Sequence, residues 1–187
     1  MTAATALLVI DVQKAFEDDR DAGYPWANPD APAAIASLIA AFRAQGLPVL
    51  HVHHHGTDPD DNFHPAAPGA QPMDCAQPRA DEALFVKTGS SAFIGTGLSA
   101  HLDALGQPAL VIVGGAANYC VDTTTRMAGN LGHRVTVVED ALINFQKTLR
   151  DGRVMPAGDV LALTLANLSD EFARIAPATV VLSEIAP

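Results

Sequence analysis

Residues 109–131 read ALVIVGGAANYCVDTTTRMAGNL, and this stretch decides the fold. Ala109 to Val113 is a short, continuous apolar run, the pattern of a strand buried on both faces. Gly114 and Gly115 break it at once, and Val121 to Leu131 reads as a helix. Strand, glycine turn and helix in that order are half of a β-α-β unit.

The alternation continues outward in both directions. Toward the amino terminus, Leu98 to Leu105 reads as a helix closed by Gly106, and Leu84 to Lys87 as a strand. Val49 to Val52 is a strand after Pro48, Ala33 to Gln45 a helix ended by Gly46, and Ala6 to Ile10 a first strand. Toward the carboxyl terminus come Val135 to Val138 as a strand, Asp159 to Phe172 as a helix and Thr179 to Leu182 as a last strand. The acid-rich segment from Glu17 to Pro32, with Gly23 and its prolines, is expected to be a loop. His53 to Gln77, crowded with His, Pro, Gly and Asp, is expected to be a long irregular excursion of the kind that more often serves as a lid. The sum is a single-domain α/β chain over residues 1–187, a three-layer α/β/α sandwich around a mainly parallel, roughly six-stranded sheet wound in the Rossmann-like manner.

Charge narrows the partners. Lys and Arg total 11 against 21 Asp and Glu, a formal charge of −10 that opposes nucleic acid and anionic membrane surfaces. The apolar run at Ala6 is ended by Asp11 and has no basic stretch before it, which fits neither a signal peptide nor a membrane span, so a cytoplasmic home is expected. Cys75 and Cys120 sit in unlike contexts, and no disulfide between them is expected.

In an open parallel sheet, ligands bind beyond the carboxyl ends of the strands. Asp11 closes the first strand, Lys87 closes the third, and Cys120 follows the fourth at the start of a helix, so three reactive side chains are expected on one rim. A helix start and a neighbouring ammonium both favour thiolate over thiol at Cys120. The competing reading is a small buried hydrophobe. Gly114 to Tyr119 places small residues ahead of the cysteine, letting backbone N–H groups point at a developing oxyanion. No Gly-x-Gly-x-x-Gly follows any strand, so a dinucleotide cofactor is not expected.

Three ordered blocks, LLVIDVQKAF at 7–16, VKTGSSAFIGTGL at 86–98 and VIVGGAANYCVDTTTRMAGNLGHRVTVVEDAL at 111–142, resemble the isochorismatase-like cysteine hydrolases, which include nicotinamidases and carbamoylsarcosine amidohydrolase. The resemblance spans nearly the whole chain. It implies Asp11 as catalytic acid/base, Lys87 as the triad lysine and Cys120 as nucleophile. It also implies a cis peptide between Gly115 and Ala116, and an oxyanion hole from the N–H groups of Ala116 and Cys120. Ala117 departs from the family, where many members carry Thr. The implied reaction is hydrolysis of an amide-like C–N bond of a small molecule through a thioester acyl-enzyme. The alternatives are isochorismatase-type vinyl-ether hydrolysis and a noncatalytic, metabolite-binding member. A homo-oligomer is expected because the family is commonly oligomeric.

His51, His53 and His55 alternate, and His64 follows. Clustered histidines can ligate zinc, but no carboxylate stands at a recognisable spacing and the Asp-x-His element of nicotinamidases is missing, so no metal or other cofactor is expected. Either His53 or His55 is instead expected to reach the rim and bond substrate, or the cluster is polar strand-end surface. Phe16, Trp26, His53 and Tyr119 are the candidate substrate-binding residues, with core packing as the competing role of the aromatics. Arg20, Arg79 and Arg126 are candidates for a substrate carboxylate, with nothing to select among them.

Overall fold

The computed structural model describes residues 5–186. Six strands form one parallel sheet: β1 (Thr5–Ile10), β2 (Val49–His54), β3 (Ala83–Lys87), β4 (Ala109–Gly114), β5 (Val135–Leu142) and β8 (Arg174–Ala176), in the order β3-β2-β1-β4-β5-β8. A two-stranded antiparallel hairpin, β6 (Lys147–Thr148) with β7 (Val154–Met155), stands apart from it.

The sheet is covered on both faces, which is why its strands read as continuous apolar runs. In β1, Leu7 and Val9 pack on one side with α2 (Ala31–Ala44) and α6 (Ala178–Ile185), while Ala6, Leu8 and Ile10 pack on the other. The second side holds α3 (Leu98–Ala104), α4 (Asp122–Asn130) and α5 (Ala157–Leu168). Helix α2 shows the logic: Ile35, Leu38, Ile39 and Phe42 recur at helical spacing, all are buried, and each contributes about 1.5–3 kcal/mol of burial. Pro32 sits in its first turn, where a missing N–H costs nothing, and Gly46 follows its end at φ +63°.

Two sequence expectations are corrected. Glu17 to Pro32 is not all loop, because α1 (Ala15–Asp21) forms there, anchored by buried Ala15 and Phe16. Thr179 to Leu182 is helix, not strand. The β-branched run suggested a strand, but Ala178, Val181, Leu182 and Ile185 recur at helical spacing against the core, and Asp140 Oδ1 accepts the Ala178 N–H at 2.8 Å. The sixth strand is the shorter Arg174–Ala176.

The segment from His55 to Gln77 is irregular apart from short 3₁₀ turns at Pro68–Ala70 and Asp74–Ala76. It docks on the chain just after β1: Lys14 N–H donates to Gln71 O at 2.8 Å, Met73 N–H to Val12 O at 2.9 Å, and Met73 is buried. No helix among the described residues is long and apolar enough to cross a membrane.

Candidate active site

Strand order reverses between β1 and β4, so the loops leaving these neighbours diverge and open a crevice at their carboxyl ends. Asp11 is the first residue past β1. Its backbone lies at φ +50°, a left-handed conformation uncommon outside glycine and enriched at functional sites. From β4 the chain passes through Gly114 and Gly115. A Cβ on Gly114 would collide with the Ile10 carbonyl oxygen, and one on Gly115 would lie 2.6 Å from the Phe16 ring. Only glycine lets β4 end this close to β1. The Gly115–Ala116 peptide is cis, and a single π-helical turn, Ala117–Val121, carries Cys120 back over the sheet end.

Lys87, the last residue of β3, joins the two sides. Its Nζ donates to Asp11 Oδ2 at 2.6 Å and to Cys120 Sγ at 3.1 Å. Asp11 and Lys87 are buried, and Asp11 Oδ1 has no hydrogen-bond partner. The Ala116 N–H donates no hydrogen bond among the described residues and remains available.

The electrostatics differ from the thiolate expected at rest. Burial, reinforced by the Asp11 carboxylate, pushes the Cys120 thiol up to about 12, outweighing the Lys87 ammonium. Burial also raises Asp11 above its ordinary 3.8, against the pull of Lys87. One ammonium in a buried site balances one negative charge. Asp11 and Cys120 therefore hold one proton between them, and at rest the thiol keeps it. A carboxylate with a free oxygen beside a thiol is arranged to take that proton when sulfur attacks.

The site floors a cavity of about 250 Å³ lined by Asp11, Phe16, His54, Phe63, Ser90, Ala116, Tyr119 and Cys120. Phe63 meets Phe16 edge-on with ring centroids 5.1 Å apart, and Lys147 of the hairpin lies over the Tyr119 ring at 4.4 Å. Larger clefts of about 510 and 420 Å³ lie at the opposite ends of the strands, and none of the three reactive residues borders them.

Of the candidate substrate-binding residues, Phe16 and Tyr119 line the cavity, and Trp26 and His53 do not. Trp26 is buried behind Phe16, donating its indole N–H to the Phe16 carbonyl at 3.2 Å. His53 points to the α2 side of the sheet, buried, its pKa pushed down to about 4 by desolvation. His51 on that side donates to Glu82 at 2.9 Å, and Glu82 also binds Arg43. His64 accepts from the Ala66 N–H within its loop. Among the described residues, no three His, Cys, Asp or Glu side chains are grouped to hold a metal. Arg20 pairs with Asp21, Arg126 with Asp122, and Arg79 borders a cleft at the far end; none lines the cavity.

Sequence reasoning passed over His54, Phe63 and Ser90. His54 was hidden because β2 runs to residue 54 rather than 52, bringing His54 into register with Lys87. Phe63 lies in the excursion, where no periodicity marks it. Ser90 stands in the VKTGSSAFIGTGL block, but its residue type carries no signal there.

Fold and site define an α/β domain with a rim-mounted cysteine, and comparison with known proteins agrees. An isochorismatase domain model matches residues 5–154. The isochorismatase-family protein YrdC of Bacillus subtilis (strain 168) is 34% identical over 178 residues, covering 94% of this chain and 92% of that protein. A streptothricin hydrolase of Streptomyces noursei is 36% identical over 139 residues, 73% of this chain and 48% of its own length. Among solved structures, an isochorismatase-family protein from Chromobacterium violaceum ATCC 12472 superposes with a TM-score of 0.92 at 39% identity, covering 97% of this chain and 93% of that one. The chain belongs to the isochorismatase family, whose members include hydrolases.

Proposed function

We propose that this protein is a cysteine-dependent hydrolase that cleaves an amide-like C–N bond of a small molecule, with residues 1–187 acting as one catalytic domain. The observation that carries the reading is the Lys87 ammonium, 2.6 Å from Asp11 and 3.1 Å from Cys120, both of which line the cavity. As substrate binds, the Cys120 proton passes to Asp11 and sulfur attacks the carbonyl carbon. The carbonyl electron pair moves to oxygen, which the N–H groups of Ala116 and Cys120 receive; one such donor is worth about 3 kcal/mol of barrier. Collapse of the adduct expels the nitrogen, which takes its proton from Asp11, and leaves a thioester on Cys120. Asp11, again a carboxylate, takes a proton from water as the water attacks. The acid leaves, and the proton returns to sulfur.

The cavity supports a substrate class. Its walls are Phe16, Phe63, Tyr119 and Ala116, and no arginine among the described residues lines it, which favours a small, uncharged, largely apolar acyl group. The family resemblance supports a homo-oligomer, which light scattering on the purified chain tests. The function is tested by ammonia release from a panel of small amides. Cys120→Ala is expected to abolish turnover with the fold intact and Asp11→Asn to abolish turnover as well, and a fully active Cys120→Ala protein ends this mechanism.

A further inference from the structure

We propose that His54 is a positioning residue: its Nδ1 is the third acceptor of the Lys87 ammonium and keeps that group centred between Asp11 and Cys120. The inference rests on the reading of Cys120 as nucleophile and adds a residue to it. A buried ammonium carries three N–H groups, each needing an acceptor. Asp11 Oδ2 at 2.6 Å and Cys120 Sγ at 3.1 Å take two, and His54 Nδ1 at 3.4 Å is the remaining one. Without it, the strongest attraction left pulls Nζ toward the carboxylate and away from sulfur.

The ring is built to hold this position. β2 lies between β1 and β3, so its last residue falls between the Asp11 and Lys87 strands, in direct register with Lys87. Fully buried Gln13 grips the His54 backbone on both sides, donating Nε2–H to the His54 carbonyl at 3.0 Å and accepting the His54 N–H at 2.8 Å. Gln13 is itself tied to the Ala70 carbonyl at 2.8 Å. Phe63 closes on the ring edge-on with centroids 5.6 Å apart. Burial and the adjacent ammonium lower the His54 pKa, so the ring is neutral at neutral pH and Nδ1 keeps the lone pair that Lys87 requires. The other charged or titratable groups acting on the ring are Asp11, Asp61 and His55. With Nδ1 taken, the tautomer is fixed with hydrogen on Nε2, which makes no hydrogen bond within the described residues and is not sealed inside them.

The test needs no substrate. Iodoacetamide alkylation of Cys120 is followed by mass spectrometry against pH in wild type, His54→Ala, His54→Gln and His54→Asn, with thermal melting confirming that each is folded. The Asn carboxamide places an oxygen where Nδ1 stood, whereas Gln reaches past it. His54→Ala and His54→Gln are expected to slow Cys120 alkylation at each pH roughly five- to tenfold, the worth of one such hydrogen bond. His54→Asn is expected to restore the rate. Equal rates in wild type and His54→Ala overturn the inference, as does an Asn variant no better than Ala. If wild-type Cys120 is not alkylated at all while the protein stays folded, the nucleophile reading itself fails, an outcome separate from the failure of His54 alone.

Discussion

Lys87 Nζ lies 2.6 Å from Asp11 Oδ2, and neither side chain keeps more than 1% of its surface in contact with solvent. Such a pair is held by mutual need: each charge is tolerable only because the other is there. Lys87→Met is therefore expected to lower stability by about 3–5 kcal/mol at neutral pH, read by urea denaturation. Adding Asp11→Asn to it removes the stranded charge and is expected to recover part of the loss. A double variant as unstable as the sum of its parts contradicts this coupling.

The proposed mechanism requires Asp11 to be ionised, and its pKa is raised by burial above 3.8. The acid limb of kcat/KM for the best amide of the panel is expected above the ordinary carboxylate range, with activity rising as pH rises through it. Burial holds the Cys120 thiol well above its ordinary value, so its own ionisation is expected to add no basic limb near neutral pH. An acid limb at or below 3.8 rules out Asp11 as the group being titrated.

Stability is expected to fall with acid in two adjoining windows. His53 has a folded pKa of about 4 against an ordinary 6.5, so between these values the unfolded chain binds the extra proton and the folded state weakens as pH drops. Glu82, held by Arg43, His51 and the Arg79 N–H, stands at about 2 against 4.5, and its contribution fades as pH falls from 4.5 toward 2. His53→Asn is expected to flatten the upper window, and Glu82→Gln to cost about 2 kcal/mol at neutral pH with the difference shrinking below 4.5. Denaturant titrations across pH separate the two.

Gly114→Ala is expected to be among the most damaging small changes in the chain. Its φ is +117° and the added methyl would enter the Ile10 carbonyl. A loss of more than about 2 kcal/mol, or failure to accumulate folded protein, is the expected result by calorimetry. A stable, fully active variant means that β1 and β4 do not approach as described.

The convergence of Asp11, Lys87 and Cys120 is legible in the sequence because each ends or closely follows an apolar run, and the β-α-β order sends all such ends to one rim. His54 was not, since its place depends on whether β2 stops at 52 or 54, which its pairing with β3 decides and no local pattern records. Phe63 depends on the path of the excursion, set by tertiary bonds such as Gly56 N–H to the Phe63 carbonyl. The Thr179 run was misread because β propensity pointed to a strand, while burial against the core and the Asp140 cap favoured a helix. The electrostatics at Cys120 are only half legible for a similar reason: residue types announce a helix start and an ammonium, but not the depth of burial that opposes both.

The adjacency of β1 and β4 also governs when the three side chains can meet. The acid and the amine belong to strands made early, while the sulfur arrives after the strand that must slot in beside the oldest one. A nascent chain released too soon, or a molecule with β4 detached, keeps its sulfur apart from both. The trio is thus a product of completed assembly, and an unfinished copy lacks it.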